Sequence, residues 1–160
     1  MAITYLSIGS NLGDREFYLR QAVADLSRRG VEVVRRAGFY ETQPRDAVDQ
    51  PWFLNTAIEG KTDLTPQALL ETCLEVERCN HRIRETPKGP RTLDIDILFY
   101  EDRIVDQPGL SIPHPRIIER RFVLVPLNEI APNWKDPLSG KTVRRLLEEC
   151  GDQSEVRPLH

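Results

Sequence analysis

Long hydrophobic runs are missing from this chain. No stretch approaches the roughly 20 apolar residues of a membrane helix, which excludes a helical membrane protein. The N-terminus lacks the charged, apolar and small-residue layout of a signal peptide, so a cytoplasmic location is expected. Cysteine is scarce: Cys73, Cys79 and Cys150 are odd in number and lack metal-type spacing. That excludes a disulfide scaffold and leaves reduced, mostly packed thiols as the expectation. Positive charge is not in excess, with 22 Lys and Arg against 25 Asp and Glu and a net charge of −3. No overall basic field argues for a nucleic-acid partner.

Familiar nucleotide motifs are also absent. Ser139-Gly140-Lys141-Thr142 imitates the end of a P-loop, but Lys135 stands where that motif needs its first glycine. A helix N-terminus is the better reading there. Gly9-Ser10-Asn11-Leu12-Gly13 lacks the dinucleotide-binding spacing, and neither a hydrolase elbow nor a metal-spaced histidine pair occurs. Repeats, low-complexity tracts and linkers are lacking too, so 160 residues with 39% apolar content predict one domain over 1–160.

What is present reads as alternating elements. Ile3 to Ile8 is β-prone and stops at Gly9-Ser10-Asn11. Asp14 can cap a helix carrying Leu19, Ala22, Val23 and Leu26, with Gly30 past its end. A strand-like run spans Val31 to Tyr40, a polar loop Thr42 to Pro51, and a third strand runs from Trp52 to about Lys61. Thr65-Pro66 starts a helix that continues through Leu69, Leu70, Cys73 and Val76 toward Arg82. Thr92 to Tyr100 alternates as a strand. The order β-α-β-β-α-β predicts an α+β fold: a ferredoxin-like core with an antiparallel sheet. The remaining third is a C-terminal extension of mixed α/β character. It has a short strand near Arg103 to Val105, a proline-rich link at Ser111 to Pro115, and an apolar segment from Phe122 to Ile130. A last helix carries Val143, Leu146, Leu147 and Cys150 on one face.

The most informative residues are Asp94 and Asp96. Alternate residues of a strand share a face, so Leu93, Ile95 and Ile97 can enter the core while both aspartates point out together, roughly 6.6 Å apart. Aspartate is disfavoured in strands and like charges repel; a hard cation such as Mg²⁺ relieves both penalties. Two exposed aspartates on a solvated face would look the same in isolation. Their surroundings favour the metal. His81 to Arg91 holds three arginines and one lysine in eleven residues, and His114, Arg116, Arg120 and Arg121 follow the strand. Arginine forks bind phosphate oxygens, and Mg²⁺ commonly bridges phosphates to one or two carboxylates. A second group comprises Thr42, Pro44, Phe53, Asn55 and Phe122. An asparagine amide offers a donor and an acceptor to the edge of a heterocycle, and aromatic rings can stack on its faces. Core packing would explain either phenylalanine equally well.

At these residues the chain resembles the 6-hydroxymethyl-7,8-dihydropterin pyrophosphokinase family from Tyr5 to about Ile130. The family signature is similar to Gly89-Pro90-Arg91-Thr92-Leu93-Asp94-Ile95-Asp96-Ile97-Leu98. Around it lie Gly9-Ser10-Asn11-Leu12, Phe39-Tyr40-Glu41-Thr42, Asp49-Gln50-Pro51, Leu54-Asn55 and Ile112-Pro113-His114-Pro115. The resemblance implies ATP as co-substrate, a pterin acceptor, and two Mg²⁺ ions on Asp94 and Asp96. It implies a pterin between Phe53 and Phe122, its edge read by Asn55 with groups near Gly9, Thr42 and Pro44. Glu77, Arg82, Arg84, Arg91, Ile97, Ser111, His114 and Arg120 would surround the nucleotide. Arg82 and Arg91 would join the aspartates in catalysis. Lys88, Leu74 and Pro115 depart from residues found in some members. A monomer that binds neither nucleic acid nor membrane is expected. Two alternatives remain: a palm-type Mg²⁺-dependent nucleotidyl transferase, and a non-enzymatic ferredoxin-like binding module.

Overall fold

The computed structural model describes residues 1–44, 49–80 and 92–159. Strand β1 (Ala2–Ser10) leads into α1 (Arg15–Arg28), capped by Asp14, whose side chain accepts from the Phe17 N–H at 3.1 Å. Gly30 turns the chain at φ 98°, a conformation that costs glycine little. Strands β2 (Val31–Arg36), β3 (Tyr40–Thr42) and β4 (Phe53–Thr62) follow, then α2 (Pro66–Cys79) and β5 (Asp94–Tyr100). The extension adds a hairpin, β6 (Val105–Gln107) with β7 (Leu110–Ile112), a 3₁₀ turn (Ile117–Glu119), α3 (Arg121–Ile130), α4 (Val143–Glu149) and β8 (Val156–Pro158).

The main sheet runs β5-β1-β4-β3-β8, with β2 also paired to β4, and every pairing is antiparallel. The core is ferredoxin-like, as expected. One face packs Leu6, Ile8, Leu54, Ile58, Ile95 and Ile97 against Leu19, Ala22 and Leu26 of α1 and Leu69, Cys73 and Val76 of α2. Each fully buried leucine or isoleucine contributes about 1.5–3 kcal/mol. The opposite face carries Tyr5, Ala57 and Phe99 under Val123, Leu124 and Leu127 of α3 and Val143 and Leu146 of α4.

Several boundaries differ from the sequence reading. The run Val31 to Tyr40 is two strands, because Ala37 turns toward β4: its N–H donates to the Ala57 carbonyl at 2.9 Å, and its carbonyl accepts from the Thr56 hydroxyl. Helix α2 stops at Cys79, with Asn80 as its C-cap, short of Arg82. The short strand expected near Arg103 lies at Val105–Gln107. Strict alternation in β5 ends at a bulge, since Leu6 opposes Ile97 but Tyr5 opposes Phe99, leaving Leu98 as the extra residue. Cys79 is exposed rather than packed. Thr142 caps α4 by accepting from the Arg145 N–H at 3.2 Å, so the P-loop look-alike is a helix start.

Candidate active site

The site follows from strand register. Directly opposed residues of neighbouring strands project to the same face. Asp94 opposes Gly9, Gly9 opposes Asn55, and Asn55 opposes Tyr40, so four strands contribute one row. The adjacent row is Asp96, Ser7 and Ala57. Thr42 opposes Phe53 one step the other way. Ala57 lies under α3, whereas Asp94 and Asp96 are half-exposed, so the open part of this face begins at the aspartates. The sheet therefore brings the acidic pair and the Asn55 group onto one surface. At a strand spacing of about 4.8 Å, Asp94 and Asn55 stand roughly 10 Å apart with Gly9 between them.

Asn55 is 3% exposed, and its Oδ1 accepts from the Thr42 hydroxyl at 2.7 Å, which fixes the orientation of the amide. A Cβ added to Gly9 would lie 2.7 Å from Asn55 Nδ2 and 3.5 Å from Phe53 Cδ1, so glycine leaves the space that this amide and ring occupy. Pro44 is buried, while Phe53 is half-buried. Phe122, second residue of α3, packs half-buried against the core of the same face, with the Arg120 guanidinium 5.6 Å from its ring centre.

Beside the aspartates, a cavity of about 280 Å³ opens along the outer edge of β5. It is lined by Leu70, Asp96, Ile97, Leu110, Ser111 and His114, among others. His114 Nε2 approaches Asp96 Oδ1 to 3.8 Å. Burial, then the neighbouring Arg120, push the His114 imidazole down to about 4, although Asp94 opposes this. The ring is therefore neutral at neutral pH, and its approach to Asp96 is no salt bridge. The Arg116 N–H donates to Nδ1 at 3.2 Å, which leaves the ring proton on Nε2, facing Asp96 and the cavity. Behind β5, Glu77 is 4% exposed and accepts from the Ile95 N–H at 2.7 Å. Arg82, Arg84 and Arg91 lie outside the described residues, as does Lys88.

The sequence matches the family model of 7,8-dihydro-6-hydroxymethylpterin-pyrophosphokinase (HPPK) over residues 5–132. The chain belongs to the HPPK family. It is an enzyme, a pyrophosphokinase. It is 47% identical over 148 residues to 2-amino-4-hydroxy-6-hydroxymethyldihydropteridine pyrophosphokinase of Methylorubrum extorquens, covering 92% of each chain. With the protein of the same name from Bacillus subtilis it shares 49% over 129 residues, 80% of this chain and 77% of the relative. The fold is similar to that of the HPPK-DHPS crystal structure from Plasmodium falciparum, with a TM-score of 0.73 at 16% identity over 92% of this chain. This chain spans 44% of that longer one.

The HPPK match contains every site residue named from sequence. Other contacts join residues quoted from the sequence only as parts of family-like blocks (Asn11, Glu41, Gln50 and Pro51) to one another or to Arg15, which was not singled out. Asn11 donates to Gln50 Oε1 at 2.7 Å and to the Pro51 carbonyl at 3.0 Å. Arg15 reaches the Trp52 carbonyl at 3.1 Å and Glu41 Oε1 at 2.6 Å. Together they anchor the chain just before Phe53. Strand β8 lies beyond the matched region, along β3.

Proposed function

We propose that this enzyme transfers the β,γ-diphosphate of ATP to the hydroxyl of 6-hydroxymethyl-7,8-dihydropterin, releasing AMP, in folate biosynthesis. One observation carries the reading: Asp94, Gly9 and Asn55 form a single row across three strands, with the β5-edge cavity alongside. A row of that kind suits two substrates meeting over the acidic pair.

In this reading the pterin edge pairs with the Asn55 amide and backbone groups near Thr42 and Pro44, and its rings stack between Phe53 and Phe122. The nucleotide occupies the cavity. The Ile95 N–H points outward to Glu77, and the two-residue period directs the main-chain groups of Ile97 the same way, toward a base edge. Ser111 and the Nε2–H of His114 supply donors to ribose or phosphate oxygens. Arg120 offsets phosphate charge at the junction with Phe122, and Arg82, Arg84 and Arg91 extend that positive rim.

The acidic pair fits Mg²⁺. It offers hard carboxylate oxygens on alternate residues, and no group of three or more His, Cys, Asp or Glu residues forms a cation cage among the described residues. Asp94 and Asp96 would be the residues that hold such an ion. When bound, Mg²⁺ supplies neutralisation of charge on the phosphate chain. The residues themselves align the pterin hydroxyl oxygen with the β-phosphorus. The new O–P bond forms as the bond from the β-phosphorus to the α,β-bridging oxygen breaks, AMP departs with that oxygen, and the hydroxyl proton is released to solvent. Alignment and charge stabilisation dominate such transfers.

The reading includes a cytoplasmic monomer in which residues 1–160 act as one domain. The test is product identification with purified protein, Mg²⁺ and ATP. AMP should form only when the hydroxymethyl dihydropterin is present. Release of inorganic pyrophosphate, or no AMP from folded protein with both substrates and Mg²⁺ present, would overturn the proposed transfer.

A further inference from the structure

The structure points to Asp152 and strand β8 as positioning elements of the pterin site, tying the wall that carries Phe122 to the wall that carries Thr42. This rests on the reading above, that the pterin lies between Phe53 and Phe122. Helix α3 begins at Arg121, and its own N-cap residue, Arg120, makes no side-chain capping bond. The acceptor comes instead from 31 residues later: Asp152 Oδ2 accepts from the Arg121 N–H at 3.0 Å. The other oxygen of that carboxylate, Oδ1, accepts from the Ser154 N–H at 2.9 Å, which folds the tail back on itself. A carboxylate at a helix N-terminus satisfies an amide that the helix cannot and is favoured by the helix dipole.

The same segment then reaches β3. The Gln43 N–H donates to the Glu155 carbonyl at 3.0 Å, and the Glu155 N–H donates to Gln43 Oε1 at 3.1 Å. Thr42 opposes Val156, Glu41 opposes Arg157, and the Leu159 N–H closes the ladder on the Phe39 carbonyl at 2.8 Å. Hydrogen-bonded pairs alternate in an antiparallel ladder, so the Glu41–Arg157 pair shares the bonded phase of its neighbours two residues away. Pro158 falls opposite Tyr40 in the other phase, where no N–H is needed. A third anchor is the Arg157 guanidinium, 4.5 Å from the ring centre of Trp52, the residue before Phe53. Residues 152–159 thus contact the start of α3, the β3 edge and the approach to Phe53. The segment 152–159 itself lies outside the family match, which ends at residue 132. Two aromatic walls grip a flat heterocycle only if their separation is held. A frayed first turn of α3 would spread the positions available to Phe122.

The test compares Asp152→Ala, Asp152→Asn and Arg157→Pro. Pterin affinity is measured by calorimetry with a non-hydrolysable ATP analogue present, analogue affinity alone, and Tm for each variant. Asp152→Ala should weaken pterin binding about 5- to 10-fold, the scale of losing a helix cap, with analogue affinity within about twofold of the parent. Asp152→Asn keeps only one of the two acceptor oxygens in use, enough for the Arg121 N–H or the Ser154 N–H but not both, and should recover pterin affinity only in part, between Asp152→Ala and the parent. Arg157→Pro removes a ladder N–H and should behave like Asp152→Ala. Unchanged pterin affinity in folded Asp152→Ala, or equal losses for pterin and analogue, overturns the proposal. A lowered Tm with normal pterin affinity overturns it as well, because that is a purely structural role. Phe122→Ala measured alongside separates the two levels. If it leaves pterin affinity intact, the placement of the pterin fails; if it weakens binding while Asp152→Ala does not, only the tie fails.

Discussion

Gly9→Ala adds one methyl group at the centre of the row that joins the acidic pair to Asn55. The backbone of Gly9 does not adopt positive φ, so alanine brings no conformational strain there. The added carbon would meet Asn55 Nδ2 at 2.7 Å, well inside normal contact. Asn55 has little room to retreat, being 3% exposed with Oδ1 bound to the Thr42 hydroxyl at 2.7 Å. The amide must shift by several tenths of an ångström or rotate away from Thr42. Either movement spoils one or two hydrogen bonds to the heterocycle, each costing about 1 kcal/mol, and up to about 3 kcal/mol if a buried partner is left unpaired. A loss of roughly 1–3 kcal/mol raises KM for the pterin about 5- to 150-fold. KM for ATP should stay within about twofold, because the cavity lies across β5, on the far side of Asp94. Steady-state AMP formation with each substrate varied in turn measures both constants, and Tm verifies the fold. A pterin KM within twofold of the parent, in a protein of native Tm, would refute the placement of Asn55 at the pterin edge.

Asp96→Ala should lower turnover at least ~10²-fold with the fold intact, the scale of removing one preorganised electrostatic group; near-normal AMP formation would take Asp96 out of the metal site. Glu77→Ala should destabilise the protein by about 1–3 kcal/mol, since the Ile95 N–H loses its buried acceptor, and Glu77→Gln by less; urea titration reads both. A thiol reagent should label Cys79 in the native protein before Cys150 and leave Cys73 untouched, as mass spectrometry of peptides would show. Burial, then Glu77 and Asp96, push the Cys73 thiol up to about 12, so almost no thiolate exists at neutral pH.

The features legible in the sequence were those with local causes. Caps at Asp14 and Thr65 each act within three residues, as expected, and the helix start read at Ser139 to Thr142 is capped by Thr142. The alternation of Leu93, Ile95 and Ile97 against Asp94 and Asp96 expresses the period of a strand, and the sheet bears it out. Features with distant causes were not legible. The break between β2 and β3 depends on Ala37 finding a partner on β4, 20 residues later. Helix α3 looked merely apolar because Pro126 and the β-branched Val123 and Val125 weaken helix propensity. It forms nonetheless, since Val123, Leu124, Leu127 and Ile130 are buried against the sheet and outweigh the lost N–H. For the site, side-chain types pointed to the acidic pair and to Asn55, but nothing in the sequence says that they share a row. That depends on how β1 registers with both of its neighbours.

Register also explains why the residues facing the aspartates are small. Gly9 opposes Asp94 and Ser7 opposes Asp96. Cross-strand side chains on one face lie about 4.5–5.5 Å apart at Cβ, so a large residue at either position would fill the space in which the carboxylates face their ligands. Slipping β1 by one residue against β5 would place Ile8 beside the acidic pair and turn Gly9 toward the helices. The core forbids that slip, because Leu6 and Ile8 are fully buried under α1 and α2. The apolar contacts on one side of β1 therefore determine which small residues line the reactive side. A substitution such as Ile8→Thr should accordingly impair more than stability: by loosening the register it would reduce the fraction of molecules in which Gly9 separates Asp94 from Asn55.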